Sequence, residues 1–466
     1  MKNFVKEERK EFFNLFKMVW KRKFSKKGYT GIAAKNSIYQ TSTLFISKFG
    51  SFFITIFLAR ILMPELFGLY SLALATILFI AGIFELGIPS TMIKFVSDSL
   101  SKNRKSKAKS YFFNLFKIKA ILIFSASIVL LLLSKILANN YYQKPIYLAL
   151  IAGSFYIICT GFIGFFTSLF QSINNFKRPF YQEIIFQISR LIFVPLATIY
   201  ILHTFESQEK ILFFLILTLS LIYLVSFFYL AFFAFKKIDF FHVSKERLDS
   251  KEKKLVRHFI LITSATAFST VFLGHIDVII LGKYVLPEYL GYYQAAFGLI
   301  GGIRPIITLA PVLFPLFNML KGKRLEKGFS RSVKLSLLIS LAAFLGVFFL
   351  AKYLVLIVYG KEYLLAVNIL RLLSLLLIAA PISAIYANYF FVKNKPEVMA
   401  KHLISSTILN VILNFVFAIW LIRYSQYYVL LGVGFATVFS RFVYLSQLFF
   451  KRKRYLSPKS KNIKTN

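Results

Sequence analysis

Eight ionisable residues fall where charge is costly. Lys48, Arg190, Arg304, Arg371 and Arg441, with Glu85, Glu183 and Asp277, each interrupt an apolar run of roughly bilayer length. A charge at mid-membrane depth costs about 2.5–3.5 kcal/mol on insertion scales. Lys48, Arg190, Arg304 and Arg441 lie near the middle of their runs, so together they cost on the order of 10 kcal/mol unless something offsets it. A water-filled cavity lined by these cations would offset it and would suit an anionic ligand. Guanidinium groups grip phosphate oxygens in a two-pronged fork, which fits a diphosphate. Arg304 is the foremost candidate, because Gly301 and Gly302 precede it and Pro305 follows, a combination that can interrupt a helix beside a cavity. The competing reading is pairing with acids or snorkelling to an interface. Five bases cannot all pair with three acids. Arg371, close to the end of its run, fits snorkelling. Arg190 stands two helical turns from Glu183 on one face, and an ion pair there is as well supported as a place in the cavity.

Among the acids, Glu85 and Asp277 have two readings: coupling to H⁺ or Na⁺, or locking two helices together. For Asp277, beside His275 and near the end of its run, the structural reading is preferred, in a small polar cluster at an outer gate. No catalytic set is evident, and no metal or cofactor site is expected. A single cysteine, Cys159, makes neither an internal disulfide nor a Cys-based metal site. No phosphate-binding Gly-x-x-x-x-Gly-Lys-Ser/Thr loop is present, so transport would be secondary rather than ATP-driven.

The elements that must position these residues are membrane helices. Hydrophobic residues make up 58% of the 466, against 16% charged, and that much apolar surface cannot hide behind so few charges in a soluble fold. Apolar runs fall near 38–63, 67–93, 112–137, 146–170, 180–202, 211–235, 258–282, 291–317, 335–358, 365–392, 402–421 and 428–450, here spans 1–12. The fold class is therefore all-α and polytopic. The order is a basic segment 1–37, a six-span half 38–235, a linker 236–257, a second half 258–450 and a basic tail 451–466. The net charge of +40 is not a nucleic-acid footprint, because it recurs in every second loop. Of 58 Lys and Arg, 45 belong to one set of loops and termini and 8 to the other. By the positive-inside rule the first set, with both termini, faces the cytoplasm. Residues 4–24 read either as an amphipathic helix on the inner membrane surface or as a solvated basic tail. Lys451 to Arg454 read as a stop signal.

One motif occurs twice. Leu58-Ala59-Arg60-Ile61-Leu62-Met63-Pro64-Glu65-Leu66-Phe67-Gly68-Leu69-Tyr70 returns as Leu281-Gly282-Lys283-Tyr284-Val285-Leu286-Pro287-Glu288-Tyr289-Leu290-Gly291-Tyr292-Tyr293, with five of thirteen positions identical. Each copy joins the first and second spans of a half. Pro64 and Pro287 suit the first turn of a helix, Glu65 and Glu288 its positive dipole end, and Gly68 and Gly291 close packing. Six spans separate the copies, so the halves are parallel repeats, an arrangement in which substrate binds between halves that rock to alternate access.

These turns, with Phe84-Glu85-Leu86-Gly87-Ile88 and Ile276-Asp277-Val278-Ile279-Ile280-Leu281-Gly282, resemble the polysaccharide-export family over residues 35–450. This is the O-antigen and teichuronic-acid flippase branch of the multidrug/oligosaccharidyl-lipid/polysaccharide exporter (MOP, MATE-like) superfamily. The resemblance implies a polyprenyl-diphosphate-linked oligosaccharide as substrate, a place in the cytoplasmic membrane, and the glycosyltransferases or polymerase of one pathway as partners. Alternatives are a drug or cation exporter, which would need carboxylates in its cavity where the excess here is basic, and a membrane-embedded glycan polymerase or ligase. The latter would need a sizeable outer loop, and every outer loop here is short. An uncoupled scramblase is indistinguishable by sequence.

Overall fold

The computed structural model describes residues 29–456, and their regular structure is helical throughout. The expected surface helix at 4–24 lies outside the described residues. Lys451 to Arg454 continue the last helix, Gln426–Leu456.

Among the described residues, ten helical runs are long and apolar enough to cross a membrane. One of them, Lys35–Ser101, has 67 residues. At helical rise it would reach about 100 Å, three times a hydrocarbon core of about 30 Å. It crosses twice, reversing at Met63, where φ 57° and ψ 169° break the helix Tyr29–Glu85. A residue before proline is barred from the helical region, while proline itself is at ease in a first turn, so Met63-Pro64 both ends span 1 and starts span 2. Helices Pro287–Ile307 and Ala310–Met319 supply span 8, which completes twelve crossings. The protein is a multi-pass membrane protein, and both ends of the described chain lie at the face that carries most of the basic residues.

Several helices begin earlier than expected, span 9 at Gly322 among them. Span 7 begins at Ser250, where Asp249 and Glu252 form a reciprocal capping box. Span 3 is a single helix from Lys105 to Lys135, so Lys119, counted in the charge tally with the basic stretch 94–119, sits inside a span. Three spans are broken: span 2 at Leu86-Gly87, with Leu86 at φ 47°; span 8 at Thr308-Leu309; and span 10 at Ser374-Leu375. The first two breaks fall at nearly the same distance from the repeat proline of their half. The helix runs unbroken through Pro195 and Pro381, whereas Pro311 opens the second piece of span 8.

The two repeat turns cross each other. A Cβ on Gly68 would run into the Pro287 carbonyl, and one on Gly291 into the Pro64 carbonyl. Glycine at both positions is what lets spans 2 and 8 meet backbone to backbone. Around this crossing both halves share one core, with Leu58, Leu62 and Leu72 packed in the same cluster as Leu281, Leu290 and Tyr363. At the basic face the core divides. Met92, Phe112, Phe165 and Phe240 form one cluster, joined by Val256 and Ile260 from the start of span 7. Leu313, Phe317, Phe329 and Leu448 form another. The halves thus share one core at the repeat turns, while at the basic face the core splits into two clusters, the first of which span 7 joins from the second half.

Candidate functional site

Lys48 of span 1, Arg304 of span 8 and Arg441 of span 12 lie within electrostatic reach of one another, Lys48 with Arg304 and Arg304 with Arg441. They come from both halves. Lys48, far from the ends of its helix, and Arg304, in the last turn of the first piece of span 8, are exposed, and Arg441 is half-buried. None of the three makes an ion pair with a carboxylate among the described residues. Glu183 is the nearest counter-charge to Lys48, and Asp277 to Arg441. Such a group of unpaired cations attracts an anion by charge and supplies fork-shaped donors to hold it.

The helix around Arg304 is not interrupted by its neighbours as expected. It runs on through Pro305 to Ile307. Gly302 instead admits span 1, because a Cβ there would strike the Phe52 ring. The break comes just beyond, where the Thr308 hydroxyl donates to the Arg304 carbonyl at 2.7 Å. Asn388 of span 10 donates to the Ala310 carbonyl at 2.7 Å and so pins the second piece.

Arg190 does not pair with Glu183. The Glu183 carboxylate accepts a 2.6 Å bond from the Gln187 amide. Nε and Nη2 of Arg190 are buried without a partner, and its guanidinium lies 5.3 Å from the Phe186 ring centre. It interacts electrostatically with Tyr70, Tyr156 and Tyr223. Arg371 is held locally, by the Phe348 carbonyl at 3.3 Å and the Asn368 side chain at 3.1 Å.

Asp277 is buried and accepts three bonds, from Tyr293 Oη at 2.7 Å, Thr437 Oγ1 at 2.6 Å and Asn414 Nδ2 at 2.7 Å. Asn410 donates to Thr437 at 3.1 Å, and Asn414 Oδ1 is buried without a partner. His275 takes no part in these bonds. The cluster is therefore built by spans 7, 8, 11 and 12, not by the neighbour in sequence. Tyr293 and Tyr70 are matching positions of the repeat, and each stands at the buried polar cluster of its own half, one around Asp277 and one around Arg190.

Glu85 forms an ion pair with Lys119 at 2.6 Å, with the Lys119 side chain 2% exposed. Span 2 is thereby fastened to span 3 at the helix break. Lys119 escaped the sequence reading because the basic run before it looked like loop.

The repeat turns also carry polar ties between halves. Arg60 Nε donates to the Val358 carbonyl at 2.7 Å, with a second contact to the Ile357 carbonyl, capping the end of span 9. Tyr363 donates to the Ala59 carbonyl at 2.7 Å. On the matching side, Lys144 donates to the Gly282 carbonyl at 2.5 Å, and Lys283 lies 5.1 Å from the Tyr141 ring centre. Within each half the sixth span braces the turn. Gln208 donates to Glu65 at 2.9 Å, and Gln426 accepts from the Leu286 amide at 2.6 Å. Glu288 sits in the first helical turn.

Comparison with known proteins agrees with this geometry. Residues 33–321 match the model of a family described as polysaccharide biosynthesis protein. The teichuronic acid biosynthesis protein TuaB of Bacillus subtilis is 30% identical over 108 residues, 22% of each chain. A probable low-salt glycan biosynthesis flippase, Agl15 of Haloferax volcanii, is 26% identical over 149 residues, 31% of each chain. The matches thus span less than a third of these relatives' lengths. Among solved structures, the lipid II flippase MurJ in an inward closed conformation aligns with a TM-score of 0.70 at 15% identity, covering 89% of this chain and 87% of that one. An inward-facing multidrug resistance MATE family transporter of the MOP superfamily aligns at 0.67 and 13% identity, covering 92% and 96%. With its family model matched over more than half its length, the chain belongs to the polysaccharide biosynthesis protein family, and its fold is like that of those two transporters.

Proposed function

We propose that this protein is a secondary transporter, not an enzyme, that flips a polyprenyl-diphosphate-linked oligosaccharide from the cytoplasmic to the outer leaflet for surface polysaccharide or glycan assembly. The observation that carries this reading is the convergence of Lys48, Arg304 and Arg441 from both halves without a carboxylate partner among the described residues. A diphosphate diester carries the opposite charge and the oxygens a guanidinium fork grips. The basic face is cytoplasmic by the positive-inside rule, with both termini there, in the cytoplasmic membrane. The cationic group is therefore open to the side on which lipid-linked sugars would be loaded. Rocking about the crossed repeat turns would then present it to the other side. A drug exporter is disfavoured by the basic excess in this group.

Coupling is assigned to Asp277. Its carboxylate is buried among the polar side chains of Tyr293, Asn414 and Thr437 and is the group that would take up H⁺ or Na⁺. Arg441 feels the Asp277 charge, so neutralising the carboxylate changes the field at the anion site. Glu85 is bound to Lys119 and takes the helix-locking role. The glycosyltransferases or polymerase of the same pathway are the expected partners.

The test is transport of a fluorescent polyprenyl-diphosphate oligosaccharide in liposomes. Flipping that depends on the protein and is lost in Arg304→Ala supports the reading. A folded wild-type protein that flips none of it overturns the reading.

A further inference from the structure

If the head group passes by Lys48, Arg304 and Arg441, the long hydrocarbon tail must stay in an apolar setting while the head crosses. Two cavities offer one. The first, about 450 Å³, lies among spans 2, 3, 4 and 7 and ends at the Glu85–Lys119 pair; the second, about 330 Å³, lies among spans 2, 3 and 7 and reaches Tyr141 and Tyr142. Phe84 borders both.

Their lining follows one face of span 3: Ile123, Ala126, Val129, Leu133 and Leu137 recur at intervals of three and four residues. From Lys119 to Tyr141 this face is about 33 Å long at helical rise, slightly more than the hydrocarbon core of about 30 Å. An acyl chain of one leaflet would fill about half of it. The polar groups at the basic end are already engaged. Lys119 is bound to Glu85 at 2.6 Å, and the Thr160 hydroxyl donates to the Tyr156 carbonyl of its own helix at 2.9 Å. The two cavities, ranged along this face on either side of Phe84, therefore offer no free cation for a phosphate and an apolar lining that suits an uncharged hydrocarbon. Span 7 closes them from the second half, so they lie along the seam at which the halves move.

We infer that the groove between spans 2, 3 and 7 holds the polyprenyl chain of the substrate and guides it across the membrane. The inference rests on the flippase reading. It adds a selectivity for long isoprenoid chains, set by a site separate from the one that takes the diphosphate.

The test uses the full-length protein in liposomes with two fluorescent diphosphate-linked disaccharides, one undecaprenyl and one farnesyl. Ala81→Phe and Ala267→Phe, each placing a ring in the first cavity, should slow flipping of the undecaprenyl lipid at least about tenfold, the scale at which hydrophobic pockets discriminate. The farnesyl lipid should move at the wild-type rate. Equal rates for the long lipid in variant and wild type, or equal loss of both lipids in folded variants, would overturn the inference. A second arm needs no transport: undecaprenyl phosphate with a diazirine on its chain should label peptides of spans 2, 3 and 7 in the wild-type protein. Labelling confined to other spans, or equal competition by phosphatidylglycerol, would show that the groove takes ordinary lipid or nothing. Wild-type protein that labels in the groove yet flips neither lipid would leave the groove occupied by isoprenoid and sink the flippase reading instead.

Discussion

Arg304 and Asp277 show how differently two intramembrane charges are used. Arg304 has accessible nitrogens and no carboxylate partner, so its guanidinium is free to bind an anion. Removing a hydrogen bond to a charged group costs about 1.5–3 kcal/mol, so Arg304→Ala should lower the flipping rate at least about tenfold. Arg304→Lys should retain part of it, having charge but no fork. Both should insert and fold as the wild type does, judged by gel filtration in detergent. Asp277 is enclosed by donors on three helices. Asp277→Asn should leave flipping equally fast with and without a Na⁺ or H⁺ gradient, measured in liposomes with each gradient imposed separately. Retained gradient dependence in that variant would remove the coupling role.

At the scale of elements, the joints are the Glu85–Lys119 tie and the crossed turns. Lys119 is almost fully enclosed whereas Glu85 is about a third exposed. Glu85→Gln strands a buried ammonium and should cost about 3–5 kcal/mol, while Lys119→Met leaves a carboxylate that water still reaches and should cost less. The double variant should recover much of the loss. Thermal unfolding of the purified protein in detergent would rank the three, and the opposite order for the single variants would contradict the burial argument. At the crossing, Gly68→Val would drive side-chain atoms into the Pro287 carbonyl. Its expected effect is to hold the repeat-turn side apart, read as accelerated labelling of cysteines placed beneath the crossing. The native Cys159 is buried in span 4 and need not be removed for such experiments.

For the whole molecule, a core shared at one end and divided at the other is the shape of one state in a two-state cycle. Spin labels at residues 104 and 323, exposed at the basic face in the two halves, should move closer when the fluorescent glycolipid and the coupling ion are supplied. Labels at residues 140 and 361, exposed near the repeat turns, should move apart. Changes of the same sign at both faces would rule out rocking about the crossing. The ties made by Arg60, Tyr363 and Lys144 must break in that motion, and all three donate to main-chain carbonyls. Such bonds can be exchanged for water without stranding a charge, which suits a gate.

Much of this protein was legible before any coordinates. Apolar runs of bilayer length, charge recurring in alternate loops and a doubled turn with proline and glycine are local or periodic, and each follows from what one helix needs in a membrane. Twelve spans, two parallel halves and the helix-opening role of Pro64 and Pro287 could be read that way. The partners of the charges could not. Asp277 meets Asn414 and Thr437 across 137 and 160 residues. Arg190 loses Glu183 to an amide one turn away, and Lys119 was hidden because a basic run masked where the membrane begins. Those outcomes depend on which helix faces meet, and a sequence with one periodicity per span says which face is apolar without saying which neighbour it finds. Tertiary packing alone settled that three cations stay without a carboxylate partner among the described residues, that the crossing is closed, and that two apolar cavities lie on either side of Phe84.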